Sequence, residues 1–414
     1  MDIFERRESN VRGYCRAFPT VFAKAKNAEQ WDEAGKRYID FFAGAGVLLF
    51  GHNDAAMKKA MIAFLEGDGV AHSLDMYTPA KRRFLEQFEE IVLKPRGLDY
   101  KLQFTGPTGT NCVEAALKLA RKVTGRRNVV AFTDAFHGMT LGSLACTGNR
   151  LFRNAAGVPL ENVVRVPFDG YAGSNVDSLE PLRAALGDSS SGIEPPAAFV
   201  VETIQAEGGV NVASTDWLMG LQTLARQYGS LLIVDDIQVG IGRSGSFFSF
   251  EGTGIEPDLV CLAKGVGGFG TPLAVLLIKP EHDKWAPSEH TGTFRGQGLS
   301  FVAGAEALQH FRDGTFLGDV KRKGEIMAAR LQAIAKGNGG MKVRGRGMIY
   351  GLDVGRGEVS AKISKQAFEN GLIVAPCGPE GRILKLIPPL TIEDSVLAEG
   401  LDIFETAVRA VASK

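Results

Sequence analysis

Runs of four or five residues, apolar but for an occasional polar end, alternate with amphipathic stretches through the middle of the chain. The runs fall at 128–132, 198–202, 231–235 and 259–263, and helical patterns cover 112–123 and 217–228. A run that is apolar at every position marks a strand covered on both faces. Strand–helix–strand order of this kind predicts an α/β fold with a mainly parallel sheet and helices on both faces. Ligands in such sheets bind beyond the carboxyl ends of the strands, and Glu202, Asp235 and Lys264 fall there. From about residue 303 the texture changes. Helical segments rich in Ala, Glu and Arg lead to Arg344-Gly345-Arg346-Gly347, then a strand at 348–354, another helix–strand pair and a last helix at 395–412. This predicts a smaller C-terminal α+β domain, 303–414. An N-terminal segment, 1–55, completes it, beside a large domain of 56–302.

Composition adds few constraints. The 414 residues are 45% hydrophobic and 23% charged, ordinary for a globular protein with an ample core. Lys+Arg and Asp+Glu balance at 47 each, so no net field draws the chain to nucleic acid or to an anionic membrane. Lys81-Arg82-Arg83 and Lys321-Arg322-Lys323 read as solvated helix faces. Five scattered cysteines never form a C-x-x-C pair, which argues for reduced thiols in a cytoplasm and against a disulfide framework or zinc site. No metal is expected. The charged start, Met1 to Glu8, lacks an apolar signal core, and the apolar stretch 41–50 is too short to span a bilayer.

Candidate chemistry sits at the strand ends. Asp235 closes one buried run and Lys264 follows another. Each has a bland reading, a helix cap or a solvated lysine. Together they are what a pyridoxal phosphate (PLP) enzyme requires: a lysine that condenses with the cofactor aldehyde and a carboxylate that keeps the pyridine nitrogen protonated. Gly106-Pro107-Thr108-Gly109-Thr110-Asn111 feeds the helix at 112, a turn suited to a phosphate. Phe136-His137-Gly138 follows the next strand; Phe136 could stack on a flat ring, although core packing and a structural histidine are the plainer readings. Gln238, three residues past Asp235, could donate to a phenolic oxygen or be a surface amide. Gly265-Val266-Gly267-Gly268-Phe269-Gly270 matches G-x-G-x-x-G, but Thr271-Pro272 and another apolar run follow, so no helix opens on it. Those glycines serve tight turns beside Lys264.

In this order the motifs resemble the class III, or ω-, aminotransferases of the fold-type I PLP enzymes. They are Gly109-Thr110, Phe136-His137-Gly138, Glu202-x-x-Gln205-x-Glu207-Gly208-Gly209, Asp235-Asp236-Ile237-Gln238-x-Gly240, Pro257-Asp258 ahead of Lys264, and Thr291-Gly292-Thr293-Phe294. Within the class the chain is most similar to the diaminobutyrate–2-oxoglutarate group of ectoine biosynthesis, through 93–101, 106–111, 247–251 and 292–296. The resemblance implies a seven-stranded sheet, PLP as cofactor, and amino-acid and keto-acid substrates. It also implies a homodimer or dimer of dimers with shared active sites, Thr293 reaching the neighbouring subunit's cofactor phosphate. By the same resemblance Glu202 joins the cofactor residues, and Glu207 pairs with Lys385 and swings aside for a dicarboxylate. Met139 and Lys385 stand where many relatives carry arginines, Ala206 replaces a usual glycine, and 375–382 departs from the ectoine enzymes. Arg295 is the remaining candidate for a substrate carboxylate, or else a surface or interface arginine. Competing readings are another ω-aminotransferase, a same-fold aminomutase, a nicotinamide oxidoreductase and a non-catalytic scaffold.

Overall fold

The computed structural model describes residues 3–173 and 176–412; Met1 and Asp2 of the charged start lie outside them. A seven-stranded sheet forms the centre, in the order Lys101–Phe104, Val275–Ile278, Leu259–Leu262, Leu231–Asp235, Ala198–Val201, Val129–Phe132, Val163–Val166. Val275–Ile278 runs antiparallel to both neighbours, and the remaining pairs are parallel. The uniform apolar runs have a direct cause. Leu231 and Ile233 point into one apolar cluster with the helix Gly109–Thr124, and Leu232 and Val234 into another with the helix Thr215–Gln227. Each strand of this kind is therefore covered on both faces.

Two smaller sheets flank the centre. Lys342–Arg346, Ile349–Asp353, Ile383–Leu386 and Ala375–Cys377 form an antiparallel four-stranded sheet. A second sheet joins Phe22–Lys26, Glu29–Asp32 and Arg37–Asp40 to Leu372–Ile373, which pairs in parallel with Arg37–Asp40. Chain ends some 330 residues apart thus share one sheet through Leu372↔Ile39 and Ile373↔Asp40.

Some expectations need correction. Arg344-Gly345-Arg346 belongs to a strand of its own, Lys342–Arg346, ahead of the expected one, which runs Ile349–Asp353. The helix at 112–123 begins at Gly109, because the Thr108 side chain caps it by accepting from the Asn111 amide. Lys81 and Lys323 are buried and not solvated. Lys81 Nζ donates to the carbonyls of Asp75 (2.8 Å) and Met76 (2.9 Å), and Lys323 pairs with Asp319 at 2.6 Å. Among the described residues no helix is long and apolar enough to cross a membrane.

Candidate active site

At the carboxyl ends of the central strands lies a cavity of about 250 Å³, lined among others by Thr110, Phe136, His137, Glu202, Glu207, Asp235, Gln238 and Lys264. Asp235 is the last residue of its strand, which register places against Cys261 of the strand leading to Lys264. The chain leaves that second strand through a single 3₁₀ turn, Lys264–Gly267, with Lys264 itself at φ 50°. Such a backbone costs of order 1–3 kcal/mol and persists where its surroundings over-determine it. Gly265 shows the constraint: a Cβ there would stand 1.9 Å from Leu49 Cδ1. No helix opens on the glycine run, and the next element is the antiparallel strand Val275–Ile278.

The electrostatics are unequal across the cavity. Asp235 Oδ2 and His137 Nδ1 are 2.8 Å apart, and both residues are buried. His137 Nε2 is buried without a partner. Glu202 accepts the Phe136 amide at 3.0 Å; burial, aided by Asp235, pushes its carboxyl well above the usual range. Glu207 does the opposite. Burial alone would raise it, but Lys385 and then Lys264 hold it down at about 2. Lys385 stands behind Glu207, only 2% exposed, and donates both to Glu207 and to Gln238 Oε1, the latter at 3.2 Å. Burial lowers the Lys264 ammonium to about 8. An amine of that kind is half neutral near pH 8, where an ordinary lysine is almost wholly charged, and the neutral form is the one a nucleophile or base must present.

The turn before the helix Gly109–Thr124 supplies the opposite end of the cavity, its first helical residues Gly109 and Thr110 both on the wall. Thr110 Oγ1 lies 2.7 Å from Thr140 Oγ1 and 2.5 Å from Ser143 Oγ. Gly138, at φ 125°, is obligatory here, since a Cβ would meet Thr110 Oγ1 at 2.3 Å. The hydroxyls of Thr140 and Ser143 escaped sequence reading, because a lone Thr before the short helix Leu141–Cys146 and a lone Ser within it carry no signal.

Three sequence candidates lie elsewhere or deeper. Thr293 and Arg295 do not line the cavity; Arg295 pairs with Asp75 at 2.6 Å, and Thr293 is exposed on a 3₁₀ turn. Lys385 reaches the cavity only through Glu207 and Gln238. Tyr14 was missed. It packs on Phe42 at 4.8 Å between centroids, and its phenol is raised first by burial and next by the charge of Glu207. The Gly378 amide donates to the Glu207 carbonyl at 2.9 Å, so the segment 375–382 buttresses the same glutamate.

A half-buried lysine after one strand, an acid–histidine pair at the end of the next, an aromatic wall and a helix-start turn together fit PLP, and define a PLP-dependent enzyme of fold-type I architecture. Residues 12–408 match the class III aminotransferase family, and the chain belongs to it. It is 50% identical to a diaminobutyrate–2-oxoglutarate transaminase of Halalkalibacterium halodurans, across 99% of this chain and 97% of that protein. The same-named enzyme of Halomonas elongata is 51% identical, with 99% of each covered. Among solved structures, ornithine aminotransferase from Toxoplasma gondii superposes with a TM-score of 0.85 at 25% identity, covering 99% of this chain and 94% of that one.

Proposed function

We propose that this chain transfers the terminal amino group of L-2,4-diaminobutyrate to 2-oxoglutarate, giving L-aspartate 4-semialdehyde and L-glutamate. The single observation that carries the reading is the cavity in which Lys264 faces Asp235, Glu202, Glu207 and Gln238; the two half-identical relatives supply the substrate. PLP, when bound, supplies an electron sink for the carbanion formed at the substrate carbon. Lys264 would hold the cofactor covalently at rest and then move a proton from the substrate carbon. Asp235, kept in place by His137, would hold the pyridine nitrogen's proton. Phe136 would stack on the ring, Gln238 would donate to the phenolic oxygen, and Gly109 with Thr110 would receive the phosphate at the helix start. Glu202 would complete the cofactor shell.

Substrate selection falls to Glu207 and Lys385. With diaminobutyrate, a monocarboxylate, Glu207 keeps its pair. With 2-oxoglutarate it swings aside and leaves Lys385 to the carboxylate. Lysine is a flexible point charge and makes no bidentate fork, so this recognition is weaker than an arginine's. We further infer a cytoplasmic homodimer or dimer of dimers, acting in ectoine biosynthesis. Leu74, Met76, Tyr77 and Phe294 are exposed on the side where Thr293 and Arg295 lie, a face a second subunit would cover. An amino-donor screen against 2-oxoglutarate tests the activity: diaminobutyrate should exceed ornithine, 4-aminobutyrate and taurine. A preferred donor without a second amine would overturn the substrate.

A further inference from the structure

Among the described residues, the one arginine that is fully buried has no carboxylate partner. Arg243 is fully buried, and both side-chain hydrogen bonds end on backbone carbonyls. Its Nη1 donates to the carbonyl oxygens of Met348 at 2.9 Å and Pro388 at 2.5 Å, while Nε and Nη2 have no partner. Its own carbonyl accepts the Met348 amide at 2.9 Å. Burial pulls the guanidinium down to about 9, which leaves it charged at neutral pH. A desolvated cation without a counter-ion is costly, and well-packed apolar side chains of similar volume commonly do as well or better. The charge is kept for something packing would not supply.

The two carbonyls show what that is. In the C-terminal sheet Tyr350 faces Leu386 and Gly351 faces Lys385. Met348 and Pro388 each lie two residues beyond the last of these pairs, so Arg243 bridges the open end of the ladder that carries Lys385. Five residues before Arg243, Gln238 accepts from Lys385 Nζ at 3.2 Å and donates to the Ala45 carbonyl at 2.7 Å. The chain between them doubles back sharply, Ile241 at φ 53° and Gly242 at φ 91°. A closed circuit results. It runs from Gln238 along the chain to Arg243, across the guanidinium to Pro388, back to Lys385, and through the Lys385 ammonium to Gln238.

We infer that Arg243 is a positioning residue for substrate selection: by tying the Gln238 segment to the end of the Lys385 ladder, it fixes where Lys385 stands behind Glu207. This rests on the reading of the Glu207–Lys385 pair given above, and leaves cofactor handling by Lys264 and Asp235 outside it. Loosening the circuit lets the ammonium wander relative to a 2-oxoglutarate carboxylate, and a lone point charge has no second contact to restore alignment.

The test uses holoenzyme and follows the two half-reactions separately. Arg243→Met should keep the bound-cofactor absorbance and react with diaminobutyrate within about threefold of wild type, while its KM for 2-oxoglutarate rises about tenfold. Arg243→Lys, which retains a donor for one carbonyl, should recover part of that loss. In a Lys385→Ala background the same Arg243→Met change should alter the 2-oxoglutarate KM less than about twofold, because nothing remains to be positioned. Equal effects on both half-reactions, or full additivity with Lys385→Ala, would overturn the inference and leave Arg243 a structural residue. If Arg243→Met does not fold, Arg243→Lys alone and combined with Lys385→Ala reads the same split. A wild-type enzyme that fails to react with diaminobutyrate would instead count against the proposed function.

Discussion

Replacing Lys385 by methionine removes one charge from a buried pair and leaves most of the volume. Its partner shows the size of the effect. Glu207, with 28% of its side chain exposed, is held at about 2 against an ordinary 4.5. At about 1.4 kcal/mol for each pH unit, that is a preference of about 3 kcal/mol for the ionised form. Because the folded value is depressed, this contribution is complete above about pH 4.5 and drains away as pH falls towards 2. Lys385→Met should therefore cost about 3 kcal/mol at pH 7, within the range for stripping one partner from a buried ion pair. Glu207→Gln should cost a similar amount by leaving the Lys385 ammonium, 2% exposed, without its acid. The double variant should lose less than the sum of the two, by about 2 kcal/mol or more. Urea unfolding of the cofactor-free protein, at one fixed protein concentration, measures all four corners. Between pH 4.5 and 3 the wild type should lose stability faster than Lys385→Met. A coupling below about 0.5 kcal/mol would refute the electrostatic account and leave Lys385 a packing residue.

The remaining outcomes concern the cofactor. Lys264→Ala should abolish transamination and lose the borohydride-trappable adduct; an adduct that survives would move the attachment elsewhere. Recombination of cofactor-free protein with PLP should quicken about tenfold per pH unit below 8 and level off above it, since only the neutral Lys264 amine attacks and its titration lies at about 8. An inflection above pH 10 would show an unshielded amine. Asp235→Asn should retain PLP yet slow turnover by orders of magnitude, because an amide cannot hold the pyridinium proton; a rate within a few-fold of wild type would give Asp235 another task.

What the sequence displayed, and what it hid, follows from how each feature is encoded. Leu231–Asp235 was legible to the residue because its apolar run ends abruptly in a charge. Asp235 and Lys264 were legible for the same reason, since doubly covered parallel strands must deliver their polar groups at the ends. The strand Lys342–Arg346 was not, for Lys-Val-Arg-Gly-Arg is a sheet-edge sequence with no fully buried position. Burial of Lys81 was hidden because its acceptors are carbonyls, which every sequence contains. The Tyr14 phenol is raised by Glu207, almost two hundred residues along the chain, and no local pattern marks such a pairing.

These differences divide the site in two. The groups assigned to the cofactor stand on the ends of the central sheet, rigid on both faces and readable from periodicity. Those assigned to substrate choice hang from other frames: Lys385 from the C-terminal sheet and Glu207 from a segment braced by Gly378. A change in the second group can retune which carboxylate or amine is accepted while the central strands keep their register. Met139 lines the cavity half-exposed and Lys385 stands buried behind Glu207, the two positions that the resemblance marks as departures from arginine. Both departures fall on the selecting side, and none touches Lys264, Asp235 or His137. Chemistry common to the family and a substrate particular to the subgroup are therefore compatible within one fold, because different elements hold them.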